Sequence, residues 1–302
     1  METRILPCGP EAISEAARLI EAGQCVAMPT ETVYGLAADA TSGAAVAGIY
    51  AAKGRPSFNP LIVHVADLAA AERIASFNDA AHVLTERYWP GPLTLVLPLR
   101  PDGGIASLVT AGLPTIALRV PAHPAMQALL EATGKPLAAP SANASGTISP
   151  TRAAHVAKSL SGRIPLIVDG GSTQVGLEST IVAVNEDGTV RLLRPGPVDL
   201  GLELSEANGI EAPGQLASHY APSKPLRLNA SEAADDEWLI GFGPVTGDAT
   251  LSASGDLQEA AARLFELLHE ADASARARIA VAPIAGTGLG IAINDRLARA
   301  AA

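Results

Sequence analysis

Up to about residue 200, short apolar bursts alternate with stretches whose apolar positions fall three and four apart. Val26, Ala27 and Met28 predict a strand stopped by Pro29. Val46, Ile49 and Tyr50 share a helix face, in a helix that begins near Gly43 and ends near Lys53 and Gly54. Residues 61–65, 93–97, 115–120 and 137–139 predict buried strands. Pro124–Thr133 predicts a helix, with proline at its start and Gly134 just beyond its end. Residues 166–168, 180–184 and 190–193 are further strands, the last two flanking the turn Glu186, Asp187, Gly188. This alternation predicts an α/β unit with strands running in both directions, and it leaves their order open.

Between residues 204 and 225 the pattern breaks. Gly209, Pro213, Gly214, Pro222 and Pro225 punctuate a segment without a period, which reads as a linker. A second unit follows. Residues 238–240 and 279–281 predict strands, Leu257, Ala260, Ala261, Leu264, Leu267 and Leu268 share one helix face, and 291–300 close the chain as a helix. Strand, helix, strand, helix suggests a small parallel, Rossmann-like sheet. The expected organisation is therefore 1–208, a linker at 209–224, and a small α/β unit at 225–302.

With 48% hydrophobic and 17% charged residues among 302, the chain can bury a full core, and with 3% aromatics that core is aliphatic. A formal charge of −10 disfavours general nucleic-acid binding but allows a local cationic cleft. Cys8 and Cys25 make neither a disulfide framework nor a zinc motif, so no protein-bound metal is expected and a reducing, cytoplasmic setting fits. The first residues lack a basic region followed by an apolar core, and the uncharged run 279–293 is interrupted by Pro283 and three glycines, so neither a leader nor a membrane span is expected. The chain has no GxxxxGK[ST] and no GxSxG, and the GxGxG at 286–290 does not complete a dinucleotide fingerprint.

Four places carry candidate chemistry. KGRPSFNPL at 53–61 sets two cations two residues apart at a helix end, with Gly54 to bend the chain and Pro56 and Pro60 to stiffen its exit. Either Lys53 and Arg55 face a polyphosphate, as point charge and bidentate fork, or they answer the helix dipole in water. Residues 140–151 crowd Ser141, Asn143, Ser145, Thr147, Ser149 and Thr151 after a strand. Such groups bind phosphate oxygens, or else form a turn and the cap of the next helix. PTETVYGL at 29–36 shapes either a pocket for a small polar substrate or a capped turn into the helix near Gly43. Arg119, inside the apolar strand 115–120, needs an anion, either the protein's own carboxylate or a substrate's. His64 poses the same choice between core and site.

Taken in order, PTETVYGL (29–36), KGRPSFNPL (53–61), WPGPLTLVL (89–97), TIALRVP (115–121), APSANASG (139–146), ESTIV (178–182) and LLRPGPV (192–198) resemble the YrdC family. PGQLASHYAP (213–222) and GLGIAINDRLARAA (288–301) resemble the linker and final segment of its two-domain members, so the likeness spans nearly the whole chain. The resemblance implies a YrdC-like twisted mixed sheet with helices. It also implies an enzyme that condenses L-threonine, bicarbonate and ATP to threonylcarbamoyl-AMP and pyrophosphate, an adenylyl transfer with Mg²⁺ carried on the nucleotide. Lys53 and Arg55 match the catalytic pair. With Asn59, Thr115, Ser141, Asn143, Ser149, Arg194 and Tyr220 they match the ATP site, and Thr32, His64, Arg119 and Ser179 match positions around threonine. The product would pass to a tRNA-modifying complex, and a lid made by the linker and second unit would guard it. Where relatives more often carry a Gly and an Asn after Leu36, this chain has Ala37, Ala38 and Asp39, and its second unit is short. The competing reading is an RNA-binding module of the same type, which the acidic balance disfavours.

Overall fold

In the computed structural model, which describes residues 2–205, 211–215 and 219–302, the strands fall into two separate sheets. The first unit contains β1 (Arg4–Pro7), α1 (Pro10–Glu21), β2 (Val26–Met28), β3 (Gly35–Asp39), α2 (Gly43–Lys53) and β4 (Ile62–His64). It continues through α3 (Leu68–Glu72), α4 (Asp79–Tyr88), β5 (Leu93–Pro98), α5 (Ser107–Thr110), β6 (Thr115–Arg119), α6 (Pro124–Thr133) and β7 (Leu137–Ala138). It ends with α7 (Ala153–Leu160), β8 (Leu166–Asp169), β9 (Thr180–Val184) and β10 (Val190–Arg194). Among the described residues these strands form a ten-stranded mixed sheet in the order β1-β8-β2-β3-β7-β4-β6-β5-β9-β10.

Local chemistry sets the helix ends. Ser42 caps α2 by accepting from the Ala45 N–H, and Gly54 ends it in the left-handed region at φ 61°. In α6, Pro124 supplies the first turn and Gly134 the left-handed stop at φ 60°. Strand alternation then sorts side chains between two faces. On one face Leu36, Val63, Leu95, Leu118 and Val182 join the apolar stripes of α2, α5 and α7. On the other, Val26 and Met28 pack with α1 and α6, while Ile62, Val96, Ala117, Ile181 and Leu193 form a separate patch. That patch is the floor from which the site rises.

The second unit holds β11 (Leu226–Arg227), β12 (Glu237–Gly241), β13 (Ala249–Thr250), α8 (Leu257–Ala273), β14 (Arg278–Val281) and α9 (Leu289–Ala300). Its sheet, β11-β14-β12-β13, is parallel throughout, as the sequence suggested. Its core of Ile240, Leu264, Phe265, Leu268, Ile279 and Ile293 also takes in Val33, Ile148 and Leu177 from the first unit. The two units therefore share apolar contact. No helix among the described residues is long and apolar enough to cross a membrane.

Two expectations are corrected. The segment 29–36 does not turn directly into a helix, because β3 intervenes. Its residues GLAAD are small and wholly buried, so they show no alternation to read. Nor do the serines and asparagine of 140–151 cap the next helix: Arg152 occupies the cap of α7 without a side-chain bond. Of the expected linker 209–224, residues 209, 210 and 216–218 lie outside the described residues.

Candidate active site

The floor is built from neighbouring strands in register. Ile62 opposes Ala117 and His64 opposes Arg119 across the parallel pair β4–β6, so His64 and Arg119 leave the sheet side by side on the patch face. Arg194 reaches the same face through an irregularity. Leu192 opposes Val182, but Arg194 opposes Ile181, leaving Leu193 as the extra residue of a bulge. Strict alternation would have sent Arg194 to the opposite face with Leu192, and the bulge re-aims it. Its Nε and Nη2 donate to the Ser179 carbonyl at 3.1 and 2.8 Å, and Nη2 also reaches Ser179 Oγ at 3.1 Å.

The two polar loops meet beside this floor. Lys53 Nζ donates to the Ser141 and Asn143 carbonyl oxygens, and Ser145 N–H returns a bond of 2.8 Å to the Lys53 carbonyl. The lysine is buried, turned away from the cavity, and pins the 141–145 backbone to the end of α2. Burial, reinforced by Arg55, holds its pKa well below the lysine range. Arg55 follows the left-handed Gly54 into the cavity wall, braced by the Asn59 and Pro60 carbonyls at 3.3 and 2.9 Å. The Asn59 amide is buried with neither polar atom partnered, a costly state.

Arg119 answers the choice the sequence left open. Its Nη2 pairs with Glu31 at 2.5 Å, Nη1 donates to Thr32 Oγ1 at 3.0 Å, and Nε to the Gly91 carbonyl at 3.1 Å. A guanidinium has five N–H groups, so these three bonds leave two for a further acceptor. Burial works against the Glu31 carboxylate, but Arg119 outweighs it and holds the pKa below the usual range. His64 is buried, its Nδ1 has no partner, and burial lowers its pKa to about 3, so the ring is neutral near pH 7.

A cover completes the cavity: Pro213, Gly214, His219 and Tyr220 close it from above, and Glu178 and Ser179 from the side. Gly214 sits at φ 88°, and a Cβ there would come within 3.0 Å of both the Tyr220 hydroxyl and the Arg194 guanidinium, so only glycine fits. Three arginines, Arg55, Arg119 and Arg194, and one carboxylate, Glu178, line a cavity of about 50 Å³. Ligand sites usually measure roughly 300–1,000 Å³. The cavity is thus cationic inside an acidic protein, and small for a ligand site.

With this geometry in place, comparison with known proteins is informative. The family model Sua5_yciO_yrdC, described as telomere recombination, matches residues 18–196, and the model described as threonylcarbamoyl-AMP synthase, C-terminal domain, matches 179–302. The chain belongs to the Sua5/YciO/YrdC family. A threonylcarbamoyl-AMP synthase of Bacillus subtilis (strain 168) is 41% identical, the match covering 96% of this chain and 92% of that one. One from Pyrococcus abyssi is 38% identical over 94% and 92% of the two chains. The crystal structure of P. abyssi Sua5 complexed with L-threonine matches with a TM-score of 0.90 at 35% identity, covering 100% of this chain and 98% of that one.

Within this Sua5-type fold, Thr32, His64, Arg119, Ser179, Arg55, Ser141, Arg194 and Tyr220 all line the one cavity. Lys53, Asn59, Asn143, Ser149 and Thr115 do not. Asn143 receives Lys53, Ser149 donates to Glu178, and Thr115 stands at the far end of β6, paired with Pro98. Tyr34 also turns away, donating to the Gly171 carbonyl at 2.7 Å. Sequence reasoning assigned no site role to Glu178, His219 or Arg296. Glu178 and His219 each sit beside a residue it did assign, Ser179 and Tyr220, and adjacency was the available signal.

Proposed function

We propose that this chain makes threonylcarbamoyl-AMP from L-threonine, bicarbonate and ATP, and releases pyrophosphate. It is an adenylyl transfer. One observation carries the reading: an amino-acid-sized group of polar residues, Thr32, His64, Arg119 and Ser179, shares a single cavity with the phosphate-type group Arg55, Ser141 and Arg194. The two free N–H directions of Arg119 suit a threonine carboxylate, and neutral His64 can accept a hydrogen bond from its hydroxyl or amine.

Threonine's amine and bicarbonate give an N-carboxylate and water. A carbamate oxygen attacks the α-phosphorus of ATP, the bond to the bridging oxygen breaks, and pyrophosphate carries away the electron pair. Both reactants are anionic, so the protein's task is neutralisation and alignment. Arg55 and Arg194 supply that charge, and each charge-assisted bond contributes about 1.5–3 kcal/mol. Lys53 acts by fixing the backbone that carries Ser141. Mg²⁺ would enter with the phosphates, because Glu178, the one lining carboxylate among the described residues, is already engaged by Ser149 and Arg296. Since a cavity this small admits neither substrate, the cover residues Pro213, Gly214, His219 and Tyr220 must lift and return, which also keeps water from the anhydride. The anhydride is then available for transfer to a tRNA adenosine by a separate enzyme.

A pyrophosphate-release assay that omits each substrate in turn tests this. Release should require threonine and bicarbonate together, and Arg55→Ala should lower kcat/KM by on the order of a hundredfold. Equal release without threonine would reduce the chain to an ATP hydrolase and remove the reading.

A further inference from the structure

We propose that Arg296, on the last helix of the second unit, is a positioning residue for this reaction, holding Glu178 and Tyr220 as walls of the cavity. The proposal rests on the synthase reading above. Among the described residues no side chain of 225–302 lines the cavity, so the second unit can act on it only through others.

Arg296 is 0% exposed and heads the largest fully buried side chains. Its Nε donates to Glu178 Oε2 at 2.8 Å, its Nη1 to Asp295 Oδ2 at 2.7 Å, and its guanidinium carbon lies 5.3 Å from the centre of the Tyr220 ring. Nη2 is buried without a partner. Of these partners, Glu178 and Tyr220 are cavity walls. The same helix end holds the cover's backbone, since His219 N–H donates to the Arg299 carbonyl at 3.1 Å, and Phe265 of α8 meets the Tyr220 ring at 5.7 Å. Tyr220 itself is held at φ 65°, a left-handed conformation that a tyrosine keeps only where its surroundings impose it.

Stability alone is a poor reason for this arrangement. A buried ion pair is often matched or bettered by an apolar pair of similar volume, and an orphaned Nη2 adds cost. What an apolar pair cannot do is keep a carboxylate ionised in the wall and a cation against the tyrosine face. Glu178 is faced by Arg296 from α9, Arg194 from β10, Ser149 from the 140–151 loop, and His219 and Tyr220 from the cover, while Asp295 of α9 pairs with the same Arg296. Burial pushes its pKa up, and Arg296 and Arg194, with hydrogen bonds from Ser149 and Arg296, outweigh that and hold it down. Without Arg296, burial regains the upper hand and Glu178 takes up a proton at higher pH.

The test uses the full chain as wild type, Arg296→Met and Arg296→Lys. It measures kcat and KM for threonine and ATP, the pH profile of kcat, and the Tm. Wild type without threonine-dependent pyrophosphate release removes the synthase reading and leaves nothing for Arg296 to position. With wild type active, Arg296→Met should lose kcat by on the order of tenfold or more, with KM for threonine changed by less than about threefold. Its acid limb should move up by about one unit or more. Arg296→Lys, which restores the charge but not the planar fork, should return the acid limb to its wild-type position while recovering only part of kcat. Wild-type kcat and acid limb in a folded Arg296→Met overturn the proposal. If the methionine variant does not fold, lysine decides alone: reduced kcat at a wild-type Tm supports positioning, and wild-type kcat overturns it.

Discussion

Two buried arginine–glutamate pairs flank the cavity, and they face it in opposite senses. On one wall Arg119 looks inward with Glu31 behind it at 2.5 Å. On the other Glu178 looks inward with Arg296 behind it at 2.8 Å. The first pair lies within the first unit, and the second spans both. An inward cation with its counter-charge behind suits an incoming carboxylate. Beside the proposed polyphosphate site an inward carboxylate would repel its substrate unless neutralised from the rear; Arg296 supplies that charge and Ser149 a hydrogen bond. On the proposed assignment, the first unit assembles its amino-acid side alone, whereas the nucleotide side needs the second unit to hold it.

The strongest way to break this contrast is Arg119→Met. The substitution leaves Glu31 buried and uncompensated, with Oε2 already unpartnered, so unfolding free energy should drop by about 3–5 kcal/mol in denaturant titration. Catalytically the loss should appear as a rise in KM for threonine, because substrate contact is lost. That is the opposite split from the kcat loss expected at Arg296. A rise confined to KM for ATP would show that the two walls had been assigned the wrong way round.

Per residue, acid comes next in size, and it acts on both regions. Burial lowers His64 and His219, at the cavity, each to about 3. At the junction between units, His155 of α7 and His269 of α8 stack with ring centres 3.8 Å apart, and burial lowers them to about 3 and about 4. His269, Arg152 and Lys158 add to the depression of His155, whose Nε2 lies 3.6 Å from Glu266. Lys158 also faces His269, where Asp272 and the Ser149 carbonyl oppose the shift. The unfolded chain takes up these protons near pH 6.5 and the folded one does not. Stability is therefore full above that value and falls as pH drops toward 4, by about 1–2 kcal/mol per histidine at pH 5. Tm measured between pH 7 and 5 checks this. Replacing both stacked rings, as His155→Phe with His269→Phe, should flatten the slope. A slope unchanged by that pair places the sensitivity at the cavity instead.

How far the sequence foretold this depended on whether a residue obeyed its local period. α2 and α6 were legible because Ser42, Gly54, Pro124 and Gly134 mark their ends. The meeting of the 53–61 and 140–151 loops was expected from the resemblance, not from their composition, and Lys53 proved to be the pin between them. Arg119 drew notice as a cation in an apolar strand, and of the two partners considered it has the internal one, Glu31. β3 was missed because a small-residue strand buried on both faces has no alternation. Arg194 was named only by resemblance, since its aim depends on a bulge that spacing does not reveal. Arg296 left a signal that went unread. Helical spacing puts it on the stripe of Ile293, Leu297 and Ala300, where an arginine must find a buried partner.

The smallest expected effect is the most discriminating about the first wall. Tyr34 sits in the same eight-residue block as Thr32 and Glu31, yet its hydroxyl points the other way, donating to the Gly171 carbonyl at 2.7 Å and accepting from Gly170 N–H at 3.0 Å. Tyr34→Phe should cost about 1 kcal/mol of stability through those bonds and leave both KM values within experimental spread. If the inward side chains alone recognise threonine, disturbing the block from behind does nothing to binding. Should Tyr34→Phe raise KM for threonine as Arg119→Met does, the wall would be responding as a strained unit, and the separation between a self-sufficient amino-acid side and a supported nucleotide side would have to be abandoned.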